Sequence, residues 1–348
     1  MNSHPFWQLL ICRVRETWRT PEAIFWVFVF PLVMIVALGL AFRSDRVETI
    51  LVDIEQGAEA ETIETALSQD ERFKITTSTA EDARRRLRVG KTELVIAAAS
   101  STGDGQYEYI FDPTRPGSLL ARNSADDVLQ TAAGRSDVIS TRNTEISEKG
   151  SRYIDFLIPG LIGMGLMGGG LWGVGFAVTD MRIRQLLKRY MGTPMKRPHF
   201  LAAMMGSRLL FMIPETLFIL FIAWVLFGVV SQGSYLLVGV IVILASLQFG
   251  GIGLLVASRA KTVEAVSGLM NLVMVPMWIG SGIFFSPDRF PDLVQPVISV
   301  LPLTPVIRSL RMVMLEGAGL MSVAPSLLLM LVWGGLTFAI AIVLFRWD

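Results

Sequence analysis

Gly90-Lys91-Thr92 are the residue types that close a phosphate-binding loop, in which backbone N–H groups, a lysine and a hydroxyl together hold a phosphate and its metal. The spacing refuses that chemistry: the first glycine of the pattern belongs at position 85, where Arg85 stands, so an exposed turn is expected. Gly163-x-Gly165-x-x-Gly168 matches the dinucleotide fingerprint in form. That fingerprint needs a preceding strand within a βαβ unit, and here it lies inside a long apolar stretch. Gly165, Gly169 and Gly173 recur every four residues on one helical face, the spacing of close helix packing, which can line a subunit interface or a substrate path. Cys12 is the only cysteine, and His4 and His199 are the only histidines and lie far apart. No intrachain disulfide, metal centre or histidine-based triad is expected from such a set.

Other polar side chains stand where they are expensive. Glu215 follows Pro214 inside an apolar run, with Arg208 two helical turns earlier. A carboxylate in hydrocarbon must face protein or water. It is either a substrate or gating contact, or else one half of an ion pair or a residue snorkelling to the interface. Gln248 and Asn271 pose the same choice between interhelical hydrogen bonds and ligand contacts. Met164, Met167, Trp172, Met274, Met277 and Trp278 suit an adaptable apolar path, and they are also ordinary membrane-helix residues.

The segment DMRIRQLLKRYMGTPMKRP, at 180–198, is different in kind. It combines a short amphipathic helix, a Gly192-Thr193-Pro194 break and basic residues on both sides. A loop that only fixed topology would need the charge but not the helix and its stop. Arg184, Leu187, Lys188, Arg189, Tyr190 and Gly192 are therefore the candidates for docking a partner protein.

The elements that must position these residues are helices in a bilayer. Of 348 residues, 52% are hydrophobic and 18% charged, too apolar for an ordinary soluble chain. A spanning helix needs about 20 mostly apolar residues. Six stretches qualify: 24–42, 154–179, 207–227, 235–257, 265–285 and 322–345. The first is longer than the apolar part of a usual signal peptide and is read as a retained anchor; Pro31 should kink it.

Basic residues set the orientation. Arg13, Arg15 and Arg19 precede the first stretch; Arg182, Arg184, Lys188, Arg189, Lys196 and Arg197 lie between the second and third; Arg259 and Lys261 lie between the fourth and fifth. The loop at 229–234 has none. These basic loops and both termini are expected in the cytoplasm of a bacterium, in its inner membrane. Before the first stretch, Trp7, Leu10, Ile11, Val14 and Trp18 share one helical face, which suits a helix lying in the membrane interface or packed on the protein's own cytoplasmic side.

Residues 43–150 interrupt this pattern with 14 Lys/Arg against 20 Asp/Glu, a net charge of −6. Strand-like runs at 47–54, 72–77, 93–99 and 106–112 alternate with helical ones at 57–69, 80–90 and 117–148. The order βαβαββα predicts a small α/β domain on the extracytoplasmic side. The fold class is thus a polytopic α-helical membrane protein with six transmembrane helices and an inserted extracytoplasmic α/β domain. Its expected divisions are 1–23, 24–42, 43–150 and 151–348.

Several local sequences carry a family resemblance. Arg189-Tyr190-Met191-Gly192-Thr193-Pro194, the Asp112-Pro113-Thr114-Arg115-Pro116 turn, SGIFFSPDRFPDLVQ at 281–295 and LPLTPVIRSLR at 301–311 occur in the order found in type-2 ATP-binding-cassette export permeases. The chain resembles those with a large extracytoplasmic domain after the first span. The resemblance implies a permease with no nucleotide site of its own, ATP and Mg being held by a separate cytoplasmic ATPase, and a working assembly with a second permease copy or close paralogue. It implies that 183–192 docks on the ATPase and that 286–320 forms short helices dipping into the outer leaflet. A periplasmic adaptor is compatible with it; nucleic acid is not an expected partner. One departure is the start of the loop, Asp180-Met181-Arg182-Ile183-Arg184, where the family often has a glutamate-rich sequence. The cargo would be a hydrophobic or amphipathic molecule such as a lipid, drug or glycolipid. Two alternatives stay open: an ion-coupled transporter that uses Glu215, and a membrane-anchored sensor or assembly factor that acts through 47–148.

Overall fold

Strand-forming runs of Ile, Val and Leu alternate with amphipathic helices in the insertion, and long apolar runs fill the rest. The computed structural model follows that division. It describes residues 5–41, 49–57, 59–98, 107–135, 152–192 and 197–344. Lys196, the Thr193-Pro194 part of the expected break and residues 136–148 lie outside the described residues; the helix expected over 117–148 ends at Ala132, where Gly134 turns the chain with φ 95°. The chain separates into two compact units, Ser44–Ile146 and the remainder.

The smaller unit is a four-stranded sheet with helices on both faces. Its elements are β1 (Ile50–Glu55), α4 (Ala60–Leu67), β2 (Phe73–Ser78), α5 (Ala80–Arg88), β3 (Leu94–Ala98), β4 (Tyr107–Phe111) and α6 (Pro116–Ala132). The strand order is β2-β1-β3-β4. The first three strands are parallel, Val52 pairing with Ile75 and with Leu94, and β4 is antiparallel to β3. Side chains alternate across a strand, so Ile50, Val52 and Ile54 enter one core with Ile63, Leu67, Ala121, Ala125 and Leu129. Asp53 points to the opposite face, where α5 places Ala83 and Leu87 over Val95. There Asp53 is 1% exposed and its Oδ2 lies 2.8 Å from Arg86 Nε. Burial raises its pKa, against the pull of Arg86. The Gly90-Lys91-Thr92 turn is structural: Gly90 has φ 73°, and Thr92 Oγ1 donates to the Leu51 carbonyl at 2.9 Å.

The larger unit is a helical membrane protein with about six apolar helices. It opens with α1 (Pro5–Trp18) and α2 (Pro21–Ile24), and a π turn at Phe25–Val29 leads into α3 (Phe30–Ala41). The π turn falls where Pro31 has no N–H to bond Val27. Next come α7 (Tyr153–Gly170), a second π turn (Leu171–Phe176) and α8 (Ala177–Ile183), which form one continuous apolar run. The rest are α9 (Leu186–Met191), α10 (Arg197–Phe227), α11 (Tyr235–Ala257), α12 (Val263–Gly280), α13 (Gln295–Val300), α14 (Leu303–Met314) and α15 (Leu320–Leu344).

Burial sorts the long helices. The most apolar window of α11 is 67% buried and that of Tyr153–Ile183 is 56% buried, against 28% for α10 and α12 and 22% for α15. The first pair forms the interior; the others turn apolar faces outward. Contact between the interior helices is backbone against backbone. A Cβ added to Gly253 would lie 2.5 Å from the Gly170 carbonyl oxygen, and one on Gly175 would lie 2.5 Å from that of Gly253.

Between α12 and α15 the proline-rich segment forms a 3-10 turn (Pro287–Arg289), α13 and α14. α14 has 12 residues, about 18 Å at 1.5 Å per residue, too short for a hydrocarbon core of about 30 Å. Its buried face, including Leu303, Val306, Ile307 and Leu310, joins the main core. Polar backbone packed against an apolar core must find partners within the protein, and side chains supply several of them. Thr304 Oγ1 donates to Ile298 O at 2.6 Å, Trp333 Nε1 to Val300 O at 2.9 Å and Gln248 Nε2 to Pro302 O at 2.7 Å. Arg311 donates to the carbonyls of Phe156 and Gly282 and stacks on the Phe156 ring, its Cζ 3.4 Å from the centroid.

Candidate functional site

The basic segment after α7 is held in a defined shape from three sides. Gln185 adopts φ 57°, a left-handed conformation that turns the chain sharply between α8 and α9. Arg182 Nη1 reaches the end of α11 and donates to Ala257 O at 2.6 Å and Ala260 O at 3.0 Å. Leu187 is 1% exposed in a cluster with Val178, Phe200, Met204 and Leu254. Tyr190 is half-buried, its ring 5.9 Å from that of Phe200. Burial pushes its hydroxyl pKa up, with Cys12 and Glu16 of α1 adding to the shift.

What remains outward is a compact basic face. Arg184, Gln185, Lys188, Arg189 and Gly192 are exposed, as is Ile183. Arg184 Nε is paired with Asp180 at 3.0 Å. Of the six residues expected to dock a partner, four are presented and two, Leu187 and Tyr190, serve as the inward anchor. Helical spacing alone could not separate these roles, since it does not say which side of a short helix meets the protein.

The N-terminal helix is adjacent. Leu9 and Leu10 are buried, whereas Trp7, Ile11 and Trp18 are 50–56% exposed. The apolar face expected for α1 is therefore divided, Leu10 turning to the protein and the tryptophans outward. Arg13 Nη1 pairs with Glu16 at 2.7 Å, and Arg13 Nη2 donates to Gly173 O, in the second π turn, at 3.4 Å.

The polar and sulfur-bearing residues of the spans fall into distinct settings. Arg208 and Glu215 form a buried ion pair, Nη2 to Oε2 2.9 Å, against Gly165 and Gly169. Gln248 is fully buried, and its Nε2 donates to the Pro302 carbonyl. Met167 and Met274 lie in the core, and Met164 packs at its edge. Trp172, Asn271 and Trp278 are exposed on the outer faces of their helices. Sequence reasoning missed the hydrogen bonds that Arg182, Arg311 and Trp333 make to distant carbonyls; nothing in the sequence around such a residue says which carbonyl it will reach.

Two comparisons bear on this arrangement. The sequence profile of the ABC-2 family transporter proteins matches residues 21–343. The chain is also similar to proteins described as "Inner membrane transport permease YhhJ" in Escherichia coli (strain K12) and in Shigella flexneri. Each is 29% identical over 119 residues, which cover 34% of this chain and 32% of the relative. The similarity thus spans about a third of the curated relatives' length.

Proposed function

The chain belongs to the ABC-2 transporter family and is a permease subunit of such a transporter; from that premise we propose that it exports a hydrophobic or amphipathic molecule, driven by a cytoplasmic ATPase that docks on α9. Permease subunits of this family lack the ATPase domain. The observation that carries the reading is the division of α9 into an anchored side and a presented side. Leu187 and Tyr190 fix it to the helical body while Arg184, Lys188 and Arg189 face outward. A motor that pushes on the basic face moves Arg182, and with it the end of α11, the most buried helix. The working orientation has this face and both termini in the cytoplasm, the α/β unit outside and the helices in the inner membrane.

A second copy of the chain, or a close paralogue, completes the permease in this reading. Asn271, at the middle of α12, is exposed, and its side-chain amide makes no hydrogen bond to the described residues. An amide in hydrocarbon gains about 0.6–2 kcal/mol from an interhelical hydrogen bond, and a neighbouring subunit offers one. The outward apolar faces of α10, α12 and α15 suit a cargo that arrives through lipid.

Co-purification of the full chain with its cytoplasmic ATPase tests the docking. Arg184→Glu/Lys188→Glu/Arg189→Glu should abolish assembly while leaving the melting temperature of the chain in place. Normal assembly and nucleotide turnover in that variant would sink the proposal.

A further inference from the structure

We propose that Arg208 and Glu215 act as an ionic dovetail that locks α10 to α7, so that the two helices move through the transport cycle as one body. The glycine stripe of α7 shows how it is built. A Cβ on Gly165 would lie 2.5 Å from Glu215 Oε1, and a Cβ on Gly169 would coincide with the Arg208 guanidinium. At Gly173 the same Cβ would sit 3.6 Å from Arg208 Cδ. All three glycines are used by one pair: Gly173 lies beside the arginine stem, Gly169 admits the guanidinium and Gly165 admits the carboxylate. The stripe is a groove for charged side chains, whereas the backbone-to-backbone approach of the interior helices uses Gly170, Gly175 and Gly253.

The pair is buried and tied to the groove. The two side chains are 6% and 4% exposed, and Arg208 Nη2 donates to Glu215 Oε2 at 2.9 Å and to the Gly165 carbonyl at 3.2 Å. The residues stand seven apart on α10, about 10.5 Å along the axis at 1.5 Å per residue, so both side chains must reach toward each other along α7. Both members belong to α10, so a shift of α10 along α7 carries the pair with it; what ties the pair to α7 is the hydrogen bond to the Gly165 carbonyl and the space that Gly165 and Gly169 leave for the two charged groups. Registry is therefore what this arrangement supplies. If α10 slid one turn along α7, about 5.4 Å, the guanidinium would leave the position that Gly169 opens, and the hydrogen bond to Gly165 would break. α10 also packs through Phe200, Met204, Met212, Ile219 and Ala223, so the pair fixes the register of a helix that apolar contacts hold in place.

This makes Arg208 and Glu215 positioning residues. The direction of the motor stroke rests on the permease reading; the lock itself rests on the geometry of α7 and α10. The two are separable by experiment. In a Cys12→Ser background, spin labels at Trp172→Cys and Leu217→Cys, both outward-facing, report the α7–α10 distance in the full chain in lipid nanodiscs. Without any ATPase, the otherwise unaltered chain should give one narrow distance distribution. Arg208→Met/Glu215→Leu, which keeps apolar volume and removes the charges, should lose it, and Gly169→Ala should do the same by displacing the guanidinium. A distribution as narrow in Arg208→Met/Glu215→Leu as in the parent overturns the lock. Addition of the ATPase with ADP and vanadate then tests the motor: the parent distance should stay fixed while labels on α9 move. If the chain binds no ATPase, the motor reading fails and the nucleotide-free widths still decide the lock.

Discussion

Arg182 caps the C-terminal end of α11, donating to the Ala257 carbonyl at 2.6 Å. The last carbonyls of a helix have no partner within it, and a cation there meets the negative end of the helix dipole. One side chain thereby ties the basic segment to the most buried span. A hydrogen bond from a charged donor is worth roughly 1.5–3 kcal/mol. Arg182→Met should therefore lower the melting temperature of the purified chain and weaken the response of the partner ATPase to its permease. An unchanged melting curve with normal coupling would show the contact to be idle.

The two sides of α9 should respond differently to substitution. Leu187→Ala removes a buried side chain, a change that typically costs 2–5 kcal/mol, and should lower thermal stability whether or not the ATPase is present. Arg189→Glu acts on an exposed residue. It should leave the melting temperature within about a degree or two, as surface changes usually do, and reduce ATPase binding. Thermal melts paired with pull-downs read both effects.

Gln248 holds the elbow between α13 and α14 from inside the helical body. Gln248→Leu keeps most of the volume and removes the side-chain donor to the Pro302 carbonyl, a hydrogen bond worth about 0.5–1.5 kcal/mol. Hydrogen exchange across 295–305 should accelerate in the variant, with the protection of α11 retained. Equal exchange rates in parent and variant would remove Gln248 from this role.

Glycine substitutions should separate tight from open positions. Gly253→Ala places a methyl 2.5 Å from the Gly170 carbonyl oxygen, whereas nothing lies within 4 Å of a Cβ on Gly335. Overpacking typically costs 1–3 kcal/mol. Gly253→Ala should thus melt lower than the parent, and Gly335→Ala should melt at or slightly above it, because alanine is the better helix former.

Asp53 gives the insertion a pH dependence of known sign. Its pKa is raised by burial, so the folded domain holds the proton to higher pH than the unfolded chain, and stability falls as pH rises from the ordinary value of 3.8 through the raised one. Asp53→Asn removes this slope. At neutral pH the variant should be at least as well protected in β1 as the parent, with Arg86 solvated at its exposed end. Exchange rates of β1 amides, corrected for intrinsic pH dependence, are the measurement. A slope equal to that of the parent would contradict the assignment.

Much of this was legible in the residues. Apolar runs of about 20 residues and the alternation within 47–112 depend on local spacing, and the four strands and most helices fall within a few residues of the expected places, whereas α6 ends at Ala132 rather than near 148 and α10 begins at Arg197 rather than at the expected 207. The basic character of 181–199 is equally local. Arg208 and Glu215 were recognisable as a costly pair from their separation of two turns. That the Gly165, Gly169 and Gly173 stripe receives them was not, because a four-residue glycine spacing suits side chains and backbone equally well.

By itself, the sequence determined which segments enter hydrocarbon, that a polar α/β unit interrupts them, and that no complete nucleotide loop is present. These follow from composition and period, which act residue by residue along the chain. Only the tertiary structure decided which side of α9 is presented, which carbonyl each arginine satisfies, and which glycines meet backbone rather than charge. Those outcomes depend on atoms brought together from distant parts of the chain, and a buried polar group is satisfied by whatever partner the packing delivers, not by one that its own neighbours in sequence specify.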